Sequence, residues 1–394
     1  MSDQKTKLLK NLEKVFTNCQ ERAAIYDKEN RFFQEDFDEL KEAGYLQMSV
    51  PEEFGGYGLN LFESSEITRK LAYHAAPTAL ALNMHVYWAG LASDLWRQGD
   101  KSLEWLLKEA GNGKVFAAGH SESGNDSPVL YSTTKAKKVD GGYVFTGHKM
   151  FGSLTPVWDF LGVHGQDNSD PDNPKVIHAY MPRDSEGYEI KKVWDNVLGM
   201  RATRSDDTIL NDVFIPDNLI VRTLSPGFAG MDPFILGIFA WGLIGFGNVY
   251  YGLAQRVFEM TVAKLHTKKS ISLNRPSMAY HPGIQHDISE MVLELEGIGP
   301  HLDTIAHEWS EGKDYGPAWG VKIVAAKCHA VESAWRVVDK SIDIIGGFGI
   351  FPASGFERMF RDARLGRLHP ANSYLAREIM AKGFLGLDLD YQPR

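Results

Sequence analysis

The chain has 394 residues, 43% of them hydrophobic and 24% charged, with a net charge of −9. That length allows two or three domains around a large core. An acidic balance without a long basic run excludes the footprint of a phosphate-backbone binder, and two cysteines, Cys19 and Cys328, are too few for a disulfide framework or a four-thiolate metal site.

The opening residues MSDQKTKLLKNLEKVF are polar and charged, with no apolar signal region, so a cytoplasmic location is expected. Leu8, Leu9, Leu12, Val15 and Phe16 recur at helical spacing, and a helix marked by Phe37 and Leu40 should stop at Gly44. Gly55, Gly56 and Gly58 punctuate a loop, PEEFGGYGL. A long apolar helix is expected from about Ala75 to Trp96, then an amphipathic one around Leu103 to Leu107. Near Lys114 the period becomes alternating. Asp140-Gly141-Gly142 reads as a hairpin turn, and Val176 to Tyr180 and Thr208 to Ile215 as strands. Asp167 to Pro174 reads as a polar surface loop.

From Phe234 onward the pattern is helical again. Ile288, Met291, Val292 and Leu295 make one apolar stripe, and Ala318 to Ile345 fits a single long helix. The longest apolar stretch, Pro233 to Tyr251, is interrupted by glycines and Asn248, so no membrane span is expected. No metal-ligand spacing, GxSxG elbow or P-loop occurs, and no metal is expected.

The most specific signal is C-terminal. Gly346-Gly347-Phe348-Gly349 precedes Phe356-Glu357-Arg358, Arg361-Asp362-Ala363-Arg364 and His369-Pro370-Ala371-Asn372. Upstream, in order, stand PEEFGGYG from Pro51, Ser121-Glu122-Ser123-Gly124-Asn125-Asp126, Gly147-His148-Lys149-Met150-Phe151-Gly152-Ser153, Leu198-Gly199-Met200-Arg201, and Gly252-Leu253-Ala254-Gln255-Arg256. Together these segments resemble the acyl-CoA dehydrogenase superfamily of flavoproteins across nearly the whole chain. The resemblance implies a mostly α fold with a central β domain: a helical N-terminal domain over 1–113, a β-barrel-like middle domain over 114–225, and a C-terminal four-helix bundle over 226–394. It also implies FAD at a subunit boundary of a homotetramer or dimer, and an acyl or acyl-CoA substrate.

Cofactor contacts are expected from His120, Ser121, Ser123, Asn125 and Ser127. Small residues and hydroxyls there let backbone N–H groups approach a ring or phosphate. Phe151 and Ser153 would stack on and hydrogen-bond the flavin. Lys268 and the Gly346-Gly347 turn would lie near its phosphates, although Asp343 stands where the family usually has glutamine.

The catalytic carboxylate is missing. The family's glutamate, nine residues after the arginine of RDA, falls on Pro370, and the alternative position on an earlier helix falls on Gly242. His369 is the nearest replacement base, with His85 a second candidate along the substrate cavity. Three readings fit. One is an FAD-dependent oxidoreductase of acyl-CoA dehydrogenase type with an electron-transfer partner. Another is a monooxygenase that receives reduced FAD or FMN from a flavin reductase and uses His369 or His85. The last is an inactive flavin- or acyl-binding protein.

Overall fold

The computed structural model describes residues 3–228, 232–272 and 274–390. Four helices come first: α1 (Asp3–Glu29), α2 (Gln34–Glu42), α3 (Leu61–Arg97) and α4 (Glu104–Gly111). Leu8, Leu12 and Phe16 of α1 are buried, as their spacing predicts, while Leu9 and Val15 pack at the edge. The chain leaves α2 through Gly44, whose φ of 91° lies in the left-handed region that glycine enters without steric cost. α3 begins earlier than the sequence suggests and is broken at Ala75 (φ −149°), two residues before Pro77. Proline cannot donate to the preceding turn, so two helical pieces meet there.

The middle of the chain is one eight-stranded sheet: β1 (Phe116–Gly119), β2 (Lys135–Val139), β3 (Gly142–Gly152), β4 (Phe160–Asp167), β5 (Lys175–Pro182), β6 (Tyr188–Lys191), β7 (Asp206–Pro216) and β8 (Ile220–Leu224). The order is β6-β7-β3-β2-β4-β5-β8, with β1 parallel to β4. The Asp140-Gly141 turn joins β2 to β3 with Val139 paired to Gly142, and Gly141 has φ 77°.

The rest is α5 (Pro233–Thr267), α6 (Pro282–Ser310), α7 (Ala318–Ile345), α8 (Phe356–Arg364) and α9 (Ser373–Leu385). α7 has the bounds its sequence predicts. In the α6 stripe Met291 and Leu295 are buried, but Val292 faces outward at 38% exposure. α5 corrects the ground for one expectation, since its glycines do not interrupt the apolar stretch. It is long and apolar enough to cross a membrane, but 83% of its most apolar window is buried inside the bundle. Its glycines explain the fit: a side chain at Gly237 or Gly245 would collide with Leu91 or Asn83 of α3, and one at Gly252 would sit 2.9 Å from the Tyr73 nitrogen. The two helices touch backbone to backbone.

The C-terminal signature fastens these parts together. Arg361 of α8 donates to Leu198 O (2.8 Å) and pairs with Asp27 of α1 (2.6 Å) and Glu357 (2.5 Å). Asp362 is fully buried and accepts from the Met200 N–H at 2.5 Å. Burial pushes its carboxyl up to about 6, despite Arg358 and that N–H bond. A carboxyl with a raised folded pKa stabilises the fold at low pH, and that contribution is lost as pH rises through about 6. Asp362→Asn keeps an acceptor for Met200 without the charge. The variant should gain about 1.5 kcal/mol on the parent between pH 5 and pH 8, read from urea unfolding at both values; a pH-independent difference refutes it.

Candidate active site

The loop after β1 is built on a buried ion pair. Met150 donates to Ser121 O at 2.8 Å, tying the loop to β3. Beneath it Glu122, 6% exposed, receives Lys149 Nζ (2.5 Å), Ser132 Oγ (2.7 Å), the Thr133 and Thr134 N–H groups (2.8 and 3.1 Å) and Asn125 Nδ2 (3.0 Å). Burial opposes the charge on Glu122, but the Lys149 ammonium and these donors hold its pKa at about 2. Burial lowers Lys149 to about 8 against the pull of Glu122. The sequence reading missed this pair, whose one visible trace is a lysine inside an otherwise neutral strand segment.

Asn125 shapes this loop. Asn125 spends both amide hydrogens on Glu122 and Tyr131 O, and its Oδ1 accepts from the Ser127 N–H at 3.1 Å. The Asn125 side chain thus braces the loop, while Ser127 gives only its N–H to that bracing. Ser123 and Gly124 stay exposed at the loop's outer edge. His120 lies behind the loop, with Trp88 edge-on at 5.3 Å, His164 at 5.4 Å and Tyr87 Oη 3.4 Å from its Nδ1. Burial keeps its pKa far below the usual value. It is a neutral ring in a half-buried residue, with its Nε2 unpartnered among the described residues.

Phe151 is presented. Between Lys149 and Gly152 the register of β3 against β7 shifts, and Phe151 takes φ 57° there. Bulges of this kind re-aim side chains. Its ring is 55% exposed, with Trp194 edge-on at 6.0 Å. Ser153 is buried at the head of a hydroxyl chain: its Oγ meets Ser205 Oγ at 2.7 Å, which meets Thr203 Oγ1 at 2.7 Å.

Lys268 sits beside the glycine turn but caps a helix. Its Nζ donates to Ile344 O and Ile345 O, both at 3.0 Å, at the C-terminus of α7, where a cation also suits the helix dipole. Gly346 follows at φ 67°, and Gly347 has open space around it. The structure therefore brings Lys268, Gly346 and Gly347 together, with two of the three Lys268 N–H bonds already committed.

His85 is corrected outright. It is fully buried, its Nε2 donates to Leu46 O at 2.9 Å and its Nδ1 accepts from the Phe116 N–H at 3.1 Å. Both nitrogens are spent on joining the N-terminal domain to β1, and burial lowers the ring to about 4. No proton can be exchanged there without breaking a main-chain contact.

His369 is different. Its ring stacks on Phe246 at 4.9 Å with 12° between planes, and its Nε2 lies 2.7 Å from Tyr250 Oη. Phe246 is one turn along α5 from Gly242, and Gly242 leaves space toward Tyr87, whose nearest atom would be 4.0 Å from an added Cβ. Phe246 thus links the two vacant carboxylate positions, since it stacks on His369 beside Pro370 and lies one helical turn from Gly242. Burial, helped by the Lys327 ammonium, lowers His369 to about 3. The phenol of Tyr250 is buried, and its one hydrogen-bond partner among the described residues is that Nε2. A buried hydroxyl left without an acceptor is costly, which favours the tautomer in which Tyr250 donates and the ring proton sits on Nδ1. In that tautomer His369 offers an N–H and has no lone pair free.

The acyl-CoA dehydrogenase N-terminal domain model matches residues 2–102, and the C-terminal domain model matches 233–385. The chain belongs to the acyl-CoA dehydrogenase superfamily. It is a flavin-dependent oxidoreductase of that group. A putative acyl-CoA dehydrogenase of Bacillus subtilis, YdbM, is 28% identical over 97% of this chain and 98% of its own. A dibenzothiophene monooxygenase of Mycolicibacterium goodii is 25% identical over 90% and 88%. The structure of KijD3 with FMN and a dTDP-amino-keto sugar superposes with a TM-score of 0.86 at 22% identity, covering 100% of this chain and 96% of that one, and so shares the fold. A flavin fits the residues present. An exposed aromatic ring on a bulged strand, the loop edge at Ser121 to Gly124 and the open turn at Gly347 would take its planar and phosphorylated parts.

Proposed function

We propose that this flavoenzyme is a monooxygenase acting on a small organic substrate, rather than a dehydrogenase of acyl thioesters. The observation that carries this reading is the 2.7 Å contact between Tyr250 Oη and His369 Nε2. Removing an α-proton requires a basic lone pair at the substrate carbon. Pro370 and Gly242 cannot provide one, and His369 has given its own to Tyr250. A neutral N–H with a cation behind it suits the opposite task, which is to steady negative charge as it develops. A bound reduced flavin would supply two electrons to molecular oxygen, one atom going to the substrate and the other to water.

The chain's own part would be threefold. His369 Nδ1–H donates to developing charge. Tyr250 fixes the tautomer. Phe246, Tyr87 and the space left by Gly242 enclose an uncharged substrate group and keep out water. The similarity to a dibenzothiophene monooxygenase supports this reading. A flavin reductase is its expected partner, with FAD or FMN as carrier.

The decisive experiment reduces the flavin-loaded protein without oxygen, then adds ¹⁸O₂ and trial substrates and follows label by mass spectrometry. Label in the product supports the oxygenase. Anaerobic bleaching of the oxidised flavin by an acyl-CoA, with no label transfer, overturns it in favour of the dehydrogenase, a second reading that the YdbM similarity favours. Tyr250→Phe should lower product formation about tenfold and raise the fraction of oxygen released as hydrogen peroxide. Unchanged coupling would remove Tyr250 from the mechanism.

A further inference from the structure

We propose that Lys327 of α7 is a positioning residue for His369, clamping its backbone and keeping its imidazole neutral. The proposal rests on His369 being the working group of the site. Lys327 is 1% exposed, and its Nζ donates to His369 O at 2.9 Å and to Ala371 O at 2.8 Å. These carbonyls flank Pro370, so one ammonium grips both sides of the turn that carries the ring.

Lys327 forms no salt bridge among the described residues. Of the charged groups nearby, Glu332 of α7 is engaged by Arg367 (3.0 Å), Arg377 of α9 (3.7 Å) and Ser373. Cys328 is a buried thiol, and α5 presents Tyr250 to the histidine. Among the described residues no carboxylate forms an ion pair with His369. A cation is costly to bury when carbonyls are its only hydrogen-bond partners among the described residues and Glu332 acts on it from a distance. A neutral donor could brace the turn more cheaply, so the charge itself has a use. An ammonium beside an imidazole opposes protonation of the ring, and burial acts in the same direction.

The test is histidine ¹³Cε1 NMR of the full-length flavin-loaded protein, with His369 assigned by its missing peak in His369→Gln. In Lys327→Gln the His369 midpoint should rise by at least about one pH unit, while Lys327→Arg keeps it low. A Lys327→Gln protein that melts earlier but leaves the His369 midpoint unmoved overturns the proposal, since bracing alone predicts that result. Should Lys327→Gln fail to fold, the alkaline limb decides. Burial lowers Lys327 to about 8, so the parent's His369 resonance should step near pH 8. In Lys327→Arg that step should vanish. The same step in both proteins overturns the proposal. These readouts need no turnover, so they stand apart from the oxygen-label result: label absent with the midpoint shifted refutes the oxygenase alone.

Discussion

His369→Ala is expected to form product 10²- to 10³-fold more slowly than the parent, roughly the loss seen when one preorganised donor is removed from a developing charge. The measurement is single-turnover product formation by pre-reduced, flavin-loaded protein mixed with oxygen and substrate. Flavin affinity should change less than about threefold, because the ring is packed against Phe246 and Tyr250 and not against the loop at Ser121. His369→Gln separates the two roles open to this residue. A glutamine amide can donate a hydrogen bond but cannot accept a proton from carbon. As a donor site the glutamine variant should stay within about tenfold of the parent. If it is as slow as the alanine variant while flavin still binds, His369 is a base and the dehydrogenase reading returns.

Gly252→Ala should cost the fold about 3 kcal/mol, at the upper end for overpacking. The added methyl group would meet Arg69 O and the Tyr73 N–H, both backbone atoms in the middle of α3. Backbone inside a packed helix cannot rotate away as a side chain can, so α3 and α5 must separate along the whole seam. Urea unfolding followed by tryptophan fluorescence measures the loss. Gly320→Ala is the control: it lies in α7 with nothing within 4 Å of an added Cβ, and should stabilise by about 0.5–1 kcal/mol through helix propensity. Equal stability of the two variants would mean that the α3–α5 contact is looser than its geometry implies.

The fold was largely legible because its signals are local. The bounds of α7 follow from periodicity, the Asp140-Gly141 hairpin from turn chemistry, and the end of α2 from Gly44. The site was legible only in outline. His369 could be singled out as the polar residue nearest a vacant position, yet its tautomer depends on Tyr250, 119 residues away in the chain. Glu122 and Lys149 look like ordinary loop and strand residues until folding joins positions 27 apart in the chain. His85 misled for the same reason. A histidine in an apolar helix looks reserved for chemistry, and only the arrival of Leu46 O and the Phe116 N–H shows that it is already used. Asn125 and Lys268 carry the right atoms for a ligand, but nearby backbone claims them first.

The latch formed by Arg361 also bears on how the protein is made. Asp27 and Arg361 are separated by 334 residues, so α1 leaves the ribosome long before its partner has been translated. At typical elongation rates of about 5–20 residues per second, the N-terminal helices wait on the order of tens of seconds for α8. Until then Asp27 and the Leu198 carbonyl lack the guanidinium that joins them. A message truncated before α8 would yield a chain without this fastening between its first helix, its sheet-side turn and its C-terminal bundle.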